Sequence, residues 1–379
     1  MLIEKSELSR RRFLQLAAAA ASVPLLLPRD ALSQAGPIVK PLPPEWFVDH
    51  GTNAEMRWDA VRELGRLIPN ERFFVRNHTR TPAIDARAWR LAVSGPGIRR
   101  PLSLSYRDLE RLPSCSLESA IECAGNGRSF FGSQQGTPAS GTPWKLGAVG
   151  VARWRGVRLG DVLERAGLRR SAVDVVPQGL DDPYVTGGVD YGRVRRPLPV
   201  GKALDDVLVA LEMNGRDLPP DHGFPARLVV PGWIGIASIK WLGSLEVATE
   251  TVTTPWNTRW YPGLSVQPVK SAFELARDAA LRAGRRVVLH GRSWSGHAPI
   301  AKVEVSTDGG ARWTRARLEG ANRERSWVRW ELPWTPRPGR HELLARATDR
   351  TGLVQPATVP FNEGGYQFWA VVRHPVTVA

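Results

Sequence analysis

The chain has 379 residues, of which 42% are hydrophobic and 8% aromatic, so it can bury the cores of two or three domains. It has only two cysteines and no Cys-x-x-Cys or Cys-x-x-Cys-His motif, which excludes a disulfide scaffold, a zinc ribbon and c-type haem attachment. The formal net charge of +15 comes from arginines spread along the chain without a recognisable nucleic-acid-binding motif. This charge suits an anionic substrate or an acidic partner, and no nucleic-acid partner is predicted.

Residues 1–35 have the composition of an export signal. They contain SRRRFL at residues 9–14, then a short segment rich in alanine and leucine, and Ser-Gln-Ala at the end. A basic start, an apolar segment too short to span a bilayer and small residues before a cleavage point are typical of a signal peptide, and the paired arginines resemble a Tat signal. We therefore expect a periplasmic protein with no membrane span in the mature chain; an uncleaved amphipathic helix is the alternative.

Residues 36–254 combine strand and helix patterns. Residues 203–215, ALDDVLVALEMNG, change from helical periodicity to a strand that ends in an Asn-Gly turn. The two patterns do not alternate at the spacing of βαβ units, and no GxGxxG or GxxxxGK motif follows a strand. The predicted fold class is α+β, with a mixed α+β domain rather than a doubly wound sheet.

The sequence pattern changes after residue 254. Residues 255–267, PWNTRWYPGLSVQ, are predicted to be a linker. Residues 268–379 contain alternating strand patterns separated by Asp-Gly, Pro-Gly and Thr-Gly turns, which is typical of an immunoglobulin-like β-sandwich. No Cys…Trp…Cys frame occurs, so an antibody-type domain is excluded.

One cysteine lies in a stretch with an unusual composition, ESAIECAGNGRSFF at residues 118–131. The Ala-Gly-Asn-Gly that follows Cys123 is turn chemistry that lets the backbone approach a ligand, and Arg128 favours a thiolate. A buried cysteine can also be an inert hydrophobic residue, as we expect for Cys115. Metal ligation by Cys123 is therefore a hypothesis that the surrounding residues favour.

Three further segments carry donors that suit an anionic cofactor. RFFVRNHTRTP contains Arg76 and His78, DHGFPARLVVPG contains His222 and Arg227, and ASIKWL contains Lys240. Each residue alone can be a turn histidine or a solvated charge. Together they suit a phosphate group, because arginine offers a bidentate fork and lysine a point charge.

Several stretches together resemble the sulfite oxidase family of molybdenum enzymes, in its bacterial sulfite or sulfane dehydrogenase branch. They are FFVRNH, ECAGNGR, GAVGVARWRGVRLGDVLERAG, ALEMNG…DHGFPARLVVPGWIGIASIKWL and VEVSTDGGARWTRARL…RATDRTGLVQP, in this order from about residue 55 to the C-terminus. The resemblance implies a molybdopterin-binding catalytic domain, followed by an immunoglobulin-like dimerisation domain, and hence a homodimer.

The resemblance also implies roles for individual residues. Cys123 corresponds to the thiolate that ligates molybdenum, which suits a metal already bound by sulfur. The positions that bind the pterin and its phosphate are Phe74, Val75, Arg76, Asn77, His78, Asp182, His222, Arg227, Ser238, Ile239 and Lys240. The positions of the oxyanion pocket over the metal are Arg76, Arg128, Trp144 and Tyr261.

Two positions depart from the family pattern. Val151 stands where an asparagine is usual. Gly364 or Gly365 stands where some animal members carry a further substrate arginine, which weakens the assignment of sulfite as the only substrate.

The implied activity is the molybdenum-dependent oxidation of sulfite, or of a related sulfur oxyanion, to sulfate. Because the chain has no haem-binding sequence, we expect its electrons to pass to an external carrier, most simply a periplasmic c-type cytochrome. The alternatives are a sulfane-sulfur dehydrogenase subunit of a thiosulfate-oxidising complex, a sulfoxide reductase-type oxotransferase, and a non-catalytic β-sandwich interaction protein. Cys123 argues against the last, because such a module has no need of it.

Overall fold

Strands make up most of the regular structure of this chain. The computed structural model describes residues 36–379, which form one compact unit. The predicted signal peptide, residues 1–35, lies outside the described residues.

The strands of the first domain are β1 (Phe47–Asp49), β2 (Asn53–Met56), β3 (Val75–Arg76), β4 (Arg90–Ser94), β5 (Leu102–Ser105), β6 (Ser114–Glu122), β7 (Val149–Arg158), β8 (Asp174–Gly179), β9 (Val185–Thr186), β10 (Val189–Asp190), β11 (Leu198–Pro199), β12 (Leu208–Met213), β13 (Arg216–Asp217), β14 (Arg227–Val229) and β15 (Leu242–Ala248). The strands of the second are β16 (Lys270–Phe273), β17 (Ala279–Leu281), β18 (Val287–Trp294), β19 (Ile300–Ser306), β20 (Thr314–Arg315), β21 (Arg317–Glu319), β22 (Trp327–Trp334), β23 (Gly339–Asp349) and β24 (His374–Val378).

The helices are few and short. The α-helices between residues 36 and 379 are α1 (Tyr106–Glu110), α2 (Ser129–Gln135), α3 (Leu159–Arg165), α4 (Val200–Asp205) and α5 (Pro255–Thr258). Single 3-10 turns occur at Asp59–Val61, Pro220–His222 and Gly235–Ala237. The predicted mixture of helices and strands is present, but strands predominate. No helix in the described part of the chain is long and apolar enough to cross a membrane.

Two sheets form the framework of the first domain. One has the order β13-β12-β7-β6, with β14 also paired to β12, and the other has the order β11-β8-β15-β4-β5. Within the second sheet only β15 and β4 are parallel. The side chains of β4 alternate between exposed and buried, with Leu91 and Val93 in the core, as expected of a strand with one face packed on the interior.

The predicted change from helix to strand near residue 205 is observed. Helix α4 is followed by β12, and the chain then reverses at Asn214 and Gly215. Both residues have positive φ, 53° and 78°, which is the conformation that an Asn-Gly hairpin turn requires.

Residues 255–267, predicted to be a linker, are packed against the first domain. Helix α5 begins after Thr254, which forms a capping box with Asn257. Trp256 and Tyr261 are almost fully buried in the core of the first domain. This segment therefore contributes side chains to the interior besides connecting the two domains.

The second domain is a two-layered β-structure. Its sheets have the orders β16-β18-β22-β21 and β17-β24-β23-β19-β20. One hydrophobic core lies between them, with Phe273 and Leu289 from the first sheet and Val303 and Ala345 from the second.

The two domains share an interface rich in tryptophan. Trp294 and Trp327 of the second domain lie with their rings 5.9 and 6.1 Å from that of Trp58. The C-terminal part of the chain then returns to the first domain, where Phe368 packs on Phe130 and Phe131 at 5.6 and 5.0 Å between ring centres. The second domain thus contacts the chain on both sides of Cys123.

Candidate active site

A pocket opens in the first domain where several chain segments meet. It contains about 740 Å³ that no protein atom fills, including the part open to solvent. Most of the sequence-predicted site residues line it, namely Phe74, Arg76, Asn77, His78, Cys123, His222, Arg227, Ser238, Ile239, Lys240 and Tyr261.

Cys123 is presented to the pocket by the end of β6. Its N–H donates to the carbonyl of Ala148 at 2.9 Å, and its carbonyl accepts the N–H of Asn126 at 2.9 Å in a tight turn. The side chain of Asn126 fixes this turn by donating to Glu122 at 2.9 Å and accepting from the Ala148 N–H at 3.1 Å. The half-buried Sγ accepts only the N–H of Gly125, at 3.4 Å, among the residues that the structure describes. The thiol is therefore held at the pocket wall with its outer face available to a ligand.

Arg76 lies at the end of β3 and lines the pocket. Its Nη1 is buried and has no hydrogen-bond partner within the described part of the chain. Burial alone lowers the pKa of Arg76, but the negative charges that Tyr261 and Cys123 carry when ionised outweigh it and raise this pKa above its ordinary value. A buried donor without a partner is costly, so Nη1 is a site at which an anion or an acceptor atom is expected.

A group of nitrogen donors lines another part of the pocket. Arg227 is buried and donates to the carbonyls of His222 at 2.9 Å and Ser238 at 3.0 Å. Lys240 donates through Nζ to the Asp221 carbonyl at 2.8 Å and to Oδ1 of Asn77. Nε2 of His222 lies 3.2 Å from the Asn70 carbonyl, which can only accept, so this nitrogen carries a hydrogen.

Burial lowers the pKa values of all three basic residues. The pKa of Arg227 falls to about 9, and those of His222 and Lys240 fall well below their ordinary values, helped by the neighbouring positive charges. Desolvation disfavours the charged forms, and an anion among these groups would favour them. This donor group consequently fits a phosphate or another compact anion.

Asp221 anchors the start of the described chain beside these donors. Its carboxylate accepts the N–H groups of Val39 at 2.9 Å and Lys40 at 2.8 Å, and the hydroxyl of Thr81 at 2.6 Å. Burial lowers the pKa of Lys40 to about 7, although the charge of Asp221 opposes this. The carboxylate accepts hydrogen bonds from the protein itself, and its charge also acts on the neighbouring Lys40 and Lys240.

Of the other residues predicted to bind the pterin, Ser238 and His78 line the pocket and Val75 does not. Ser238 lines the pocket while its hydroxyl accepts the Val230 N–H at 3.0 Å, and His78 packs edge-on against Trp256 at 4.6 Å. Burial and the charge of Arg76 lower the pKa of His78 well below its ordinary value. Val75 is buried in the core and does not line the pocket, because side chains alternate along β3.

The structure does not bring Asp182 to the pocket. Asp182 is exposed, whereas its neighbour Asp181 is only 3% exposed and lines the pocket. Burial raises the pKa of Asp181 to about 6, although the charge of Lys240 opposes this shift. Adjacent residues leaving a strand point in different directions, so the two members of an Asp-Asp pair have different environments. The carboxylate of this site is therefore Asp181 rather than Asp182.

Arg128 and Trp144 lie behind the pocket wall rather than in it. Arg128 is 8% exposed and donates to the carbonyls of Gly364 and Thr142, both at 2.9 Å. Trp144 is buried and packs edge-on against Phe74 at 6.5 Å. Trp144 thus supports Phe74, which lines the pocket, whereas Arg128 is bound to backbone outside the lining.

A second tyrosine packs on Tyr261, a residue of the pocket lining. The ring of Tyr261, which lines the pocket, lies 4.7 Å from that of Tyr366, and the guanidinium of Arg128 stands 5.3 Å from the Tyr366 ring. Burial raises the pKa of both hydroxyls, although Arg76 and Arg128 oppose this. Both phenols therefore remain protonated at neutral pH and can donate hydrogen bonds.

Sequence reasoning missed Asp181, Asp221 and Tyr366. Asp181 had a visible signal, because it stands in the same Asp-Asp pair as Asp182. Asp221 precedes the predicted His222 and is buried beside it. Tyr366 had no local signal, since it reaches the site only through the fold.

The donor set fits a molybdenum–pterin cofactor. A cysteine thiolate is a soft ligand that suits a metal also bound by sulfur, and the group around Arg227 suits a phosphate. The profile of the "Oxidoreductase molybdopterin binding domain" matches residues 78–256, and that of the "Mo-co oxidoreductase dimerisation domain" matches residues 265–372.

Sequence similarity to known proteins shows which family the chain belongs to. The sulfite oxidase of Gallus gallus is 39% identical over 324 residues, which are 77% of this chain and 69% of that protein. The chain belongs to the sulfite oxidase family. The mitochondrial sulfite oxidase of Mus musculus is 37% identical over 337 residues, or 81% of this chain, which spans only 60% of the mouse protein.

A solved member of similar structure is the sulfane dehydrogenase SoxCD of Paracoccus pantotrophus. It matches with a TM-score of 0.76 and 27% sequence identity, covering 93% of this chain and 91% of the chain compared. Like other members of the sulfite oxidase family, this chain is a molybdenum-dependent oxidoreductase with a molybdopterin cofactor. Its second domain belongs to the dimerisation type, which supports a homodimer or a larger oligomer.

Proposed function

We propose that this enzyme oxidises sulfite, or a related sulfur oxyanion, to sulfate. For sulfite, one water supplies the added oxygen, and the reaction releases two protons and two electrons. When bound, the molybdenum cofactor supplies oxygen-atom transfer to sulfur and takes up the two electrons. The protein supplies binding, orientation and a positive field.

The observation that carries this proposal is the unpartnered Nη1 of Arg76 in the pocket that also holds the thiol of Cys123. Arg76 would neutralise part of the charge of an oxyanion beside the metal ligand. Tyr261 stays protonated and would donate a hydrogen bond to an oxygen of the same anion. Substrate and product are both sulfur oxyanions in this reaction, so the site needs Arg76 and Tyr261 as donors before and after the oxidation.

The cofactor would be held at two places. Cys123 would ligate the metal, which fixes the reacting centre next to Arg76. His222, Arg227 and Lys240 would bind the phosphate of the pterin, whose negative charge offsets their desolvation. Phe74, Asn77, His78, Ser238 and Ile239 would surround the pterin.

The test is steady-state oxidation of sulfite by purified enzyme, with ferricyanide and a c-type cytochrome as alternative one-electron acceptors. The proposal predicts two equivalents of acceptor reduced for each sulfite consumed, in protein shown to contain molybdenum. Molybdenum-replete enzyme that reduces neither acceptor with any sulfur oxyanion would refute it.

A second candidate is a sulfane-sulfur dehydrogenase subunit of a thiosulfate-oxidising complex. The structural match to SoxCD over 93% of the chain favours it, as does glycine at residues 364 and 365. A comparison of sulfite with a protein-bound or thiol-bound persulfide as electron donor distinguishes the two. A higher kcat/KM for the persulfide would select the second candidate.

We also propose that the enzyme lies in the periplasm and passes its electrons to an external carrier there. Without residues 1–35, which carry +2 of the total of +15, the mature chain would have a net charge of +13 and would attract an acidic carrier, which in the periplasm is most simply a c-type cytochrome. Residues 1–35 would direct export through the Tat pathway. Replacing Arg10, Arg11 and Arg12 by lysine should leave active enzyme in the cytoplasmic fraction, whereas normal export of this variant would refute the signal.

We further propose that the second domain is immunoglobulin-like and forms the contact between two subunits. Its two-layered structure and its match to the dimerisation profile support this. Light scattering of the mature protein at micromolar concentration should give twice the mass of one chain. A monomer under these conditions would contradict the proposal.

A further inference from the structure

Tyr366 reaches Tyr261, a residue of the pocket lining, from the C-terminal part of the chain. Gln367 donates its N–H to the carbonyl of Ala124 at 2.6 Å, and the Gly364 carbonyl accepts Nε of Arg128 at 2.9 Å. These contacts place residues 364–367 beside the turn that carries the predicted metal ligand. The Tyr366 ring then lies 4.7 Å from that of Tyr261, at an angle of 32°.

Glycine at 364 leaves room for this ring. A Cβ added at Gly364 would lie 2.1 Å from Cε2 and 2.4 Å from Cδ2 of Tyr366, which is far inside van der Waals contact. The backbone at Gly364 is not in the left-handed region, in contrast to Gly365 with a φ of 56°. The ring of Tyr366 therefore occupies the space into which a side chain at 364 would project.

The positive charge available at this end of the pocket is limited. Arg128 uses two of its nitrogens on the carbonyls of Thr142 and Gly364 and turns its guanidinium toward the ring of Tyr366. Arg76 is the guanidinium in the pocket lining whose buried Nη1 has no partner within residues 36–379. An oxyanion has more acceptor positions than one guanidinium edge fills, so neutral donors are needed beside it.

We infer that Tyr366 is a specificity-determining residue for the oxyanion, an inference that rests on the proposed function. Its hydroxyl, next to that of Tyr261, donates a hydrogen bond to an oxygen of the bound sulfur oxyanion. A phenol recognises the oxygen without adding charge, so the site holds its substrate through one cation and a pair of hydroxyls. Gly364 acts through Tyr366, because it keeps the ring in place.

The first test is Tyr366→Phe in the molybdenum-containing enzyme, because this change keeps the ring and removes the hydroxyl. Loss of a hydrogen bond to an anion should raise KM for sulfite about tenfold or more, with kcat changed by less than about threefold. The dissociation constant of sulfate, measured by calorimetry, should rise by a similar factor. Tyr191→Phe is the matched control, since the Tyr191 ring packs on Trp260 at 5.3 Å, whereas that of Tyr366 packs on Tyr261 of the pocket lining.

The second test is a cycle between Gly364 and Tyr366. Gly364→Ala should raise KM and the sulfate dissociation constant as much as Tyr366→Ala does, because the new Cβ displaces the ring. Adding Gly364→Ala to Tyr366→Ala should change neither constant further. Full additivity would overturn the link between the two residues.

The outcomes separate this inference from the proposed function. Wild-type enzyme that binds sulfate and oxidises sulfite, with Tyr366→Phe equal to it in KM and in the sulfate constant, would overturn the role of Tyr366 alone. Wild-type enzyme that neither binds sulfate nor oxidises a sulfur oxyanion would refute the proposed function together with the inference.

Discussion

The ammonium nitrogen of Lys270, on the first strand of the C-terminal domain, lies 2.7 Å from a carboxylate oxygen of Glu122, the residue before Cys123. Both side chains are almost completely buried. The other oxygen of Glu122 accepts the indole N–H of Trp294 at 2.9 Å, and Lys270 also donates to the Asn126 carbonyl at 2.9 Å. The C-terminal domain therefore fixes the turn that presents the predicted metal ligand.

This relationship predicts a large loss of stability when Lys270 is removed. Lys270→Met leaves the Glu122 carboxylate buried without its counter-charge, which should lower the free energy of unfolding by about 3–5 kcal/mol. Urea unfolding of the purified protein measures it.

Two variants control this experiment. Adding Glu122→Gln to Lys270→Met removes the uncompensated charge and should recover much of the loss. Lys302→Met breaks a partly exposed pair with Glu304 and should change stability by less than about 1 kcal/mol. A loss of that small size for Lys270→Met would show that the buried pair does not stabilise the site.

Replacing Cys123 tests the predicted metal ligand. Cys123→Ser should give folded protein without oxidation activity, because a hydroxyl is a harder and far less acidic ligand than a thiol. Cys115→Ser is the matched control, since Cys115 is the other cysteine and is exposed. Near wild-type turnover of molybdenum-replete Cys123→Ser would exclude this assignment.

We expect replacement of Arg76 to weaken substrate binding more than it lowers the stability of the fold. Arg76→Gln removes one charge from a desolvated anion site, which should lower kcat/KM for sulfite by roughly 30- to 1,000-fold, or about 2–4 kcal/mol. Arg80→Gln, four residues further on and exposed, should leave kcat/KM unchanged. If kcat/KM were the same for Arg76→Gln and Arg80→Gln, the anion site would lie elsewhere.

The parts of this structure that sequence predicts best are those with strong local chemistry. The turn after Cys123 and the hairpin at Asn214 and Gly215 follow from residues that tolerate tight backbone geometry. The donor chemistry of Arg227 and Lys240 predicts that they share an anion, and the family resemblance supports this, although no local periodicity brings side chains on separate segments together.

The parts that sequence could not give depend on register and on long-range contacts. Asp181 rather than Asp182 enters the pocket beyond the end of β8, where the register with β15 shifts between Leu242 and Ser244. Strand alternation cannot be extrapolated across such an irregularity. Tyr366 contacts the site through a segment whose bond to Arg128 joins residues 236 positions apart. No periodicity in the sequence encodes that contact.

Asp181 gives the site a predictable dependence on pH. Burial raises its pKa in the folded protein from 3.8 to about 6. The folded state therefore binds more protons than the unfolded state between these values, so the contribution of Asp181 is most favourable below about pH 4 and is lost as the pH rises through 6. Other carboxylates also change the stability of the protein with pH. The contribution of Asp181 is therefore isolated by comparing wild type with a variant that lacks this carboxylate.

Asp181→Asn removes the titrating group while keeping a polar side chain of the same size. Its stability relative to wild type should rise by about 2 kcal/mol between pH 4 and pH 7, because the wild type must bury a carboxylate at the higher pH. Urea unfolding at both pH values measures the difference. Asp182→Asn is the matched control, because Asp182 is the exposed neighbour of Asp181. A pH-dependent difference for Asp182→Asn, with none for Asp181→Asn, would reverse the assignment of the buried carboxylate.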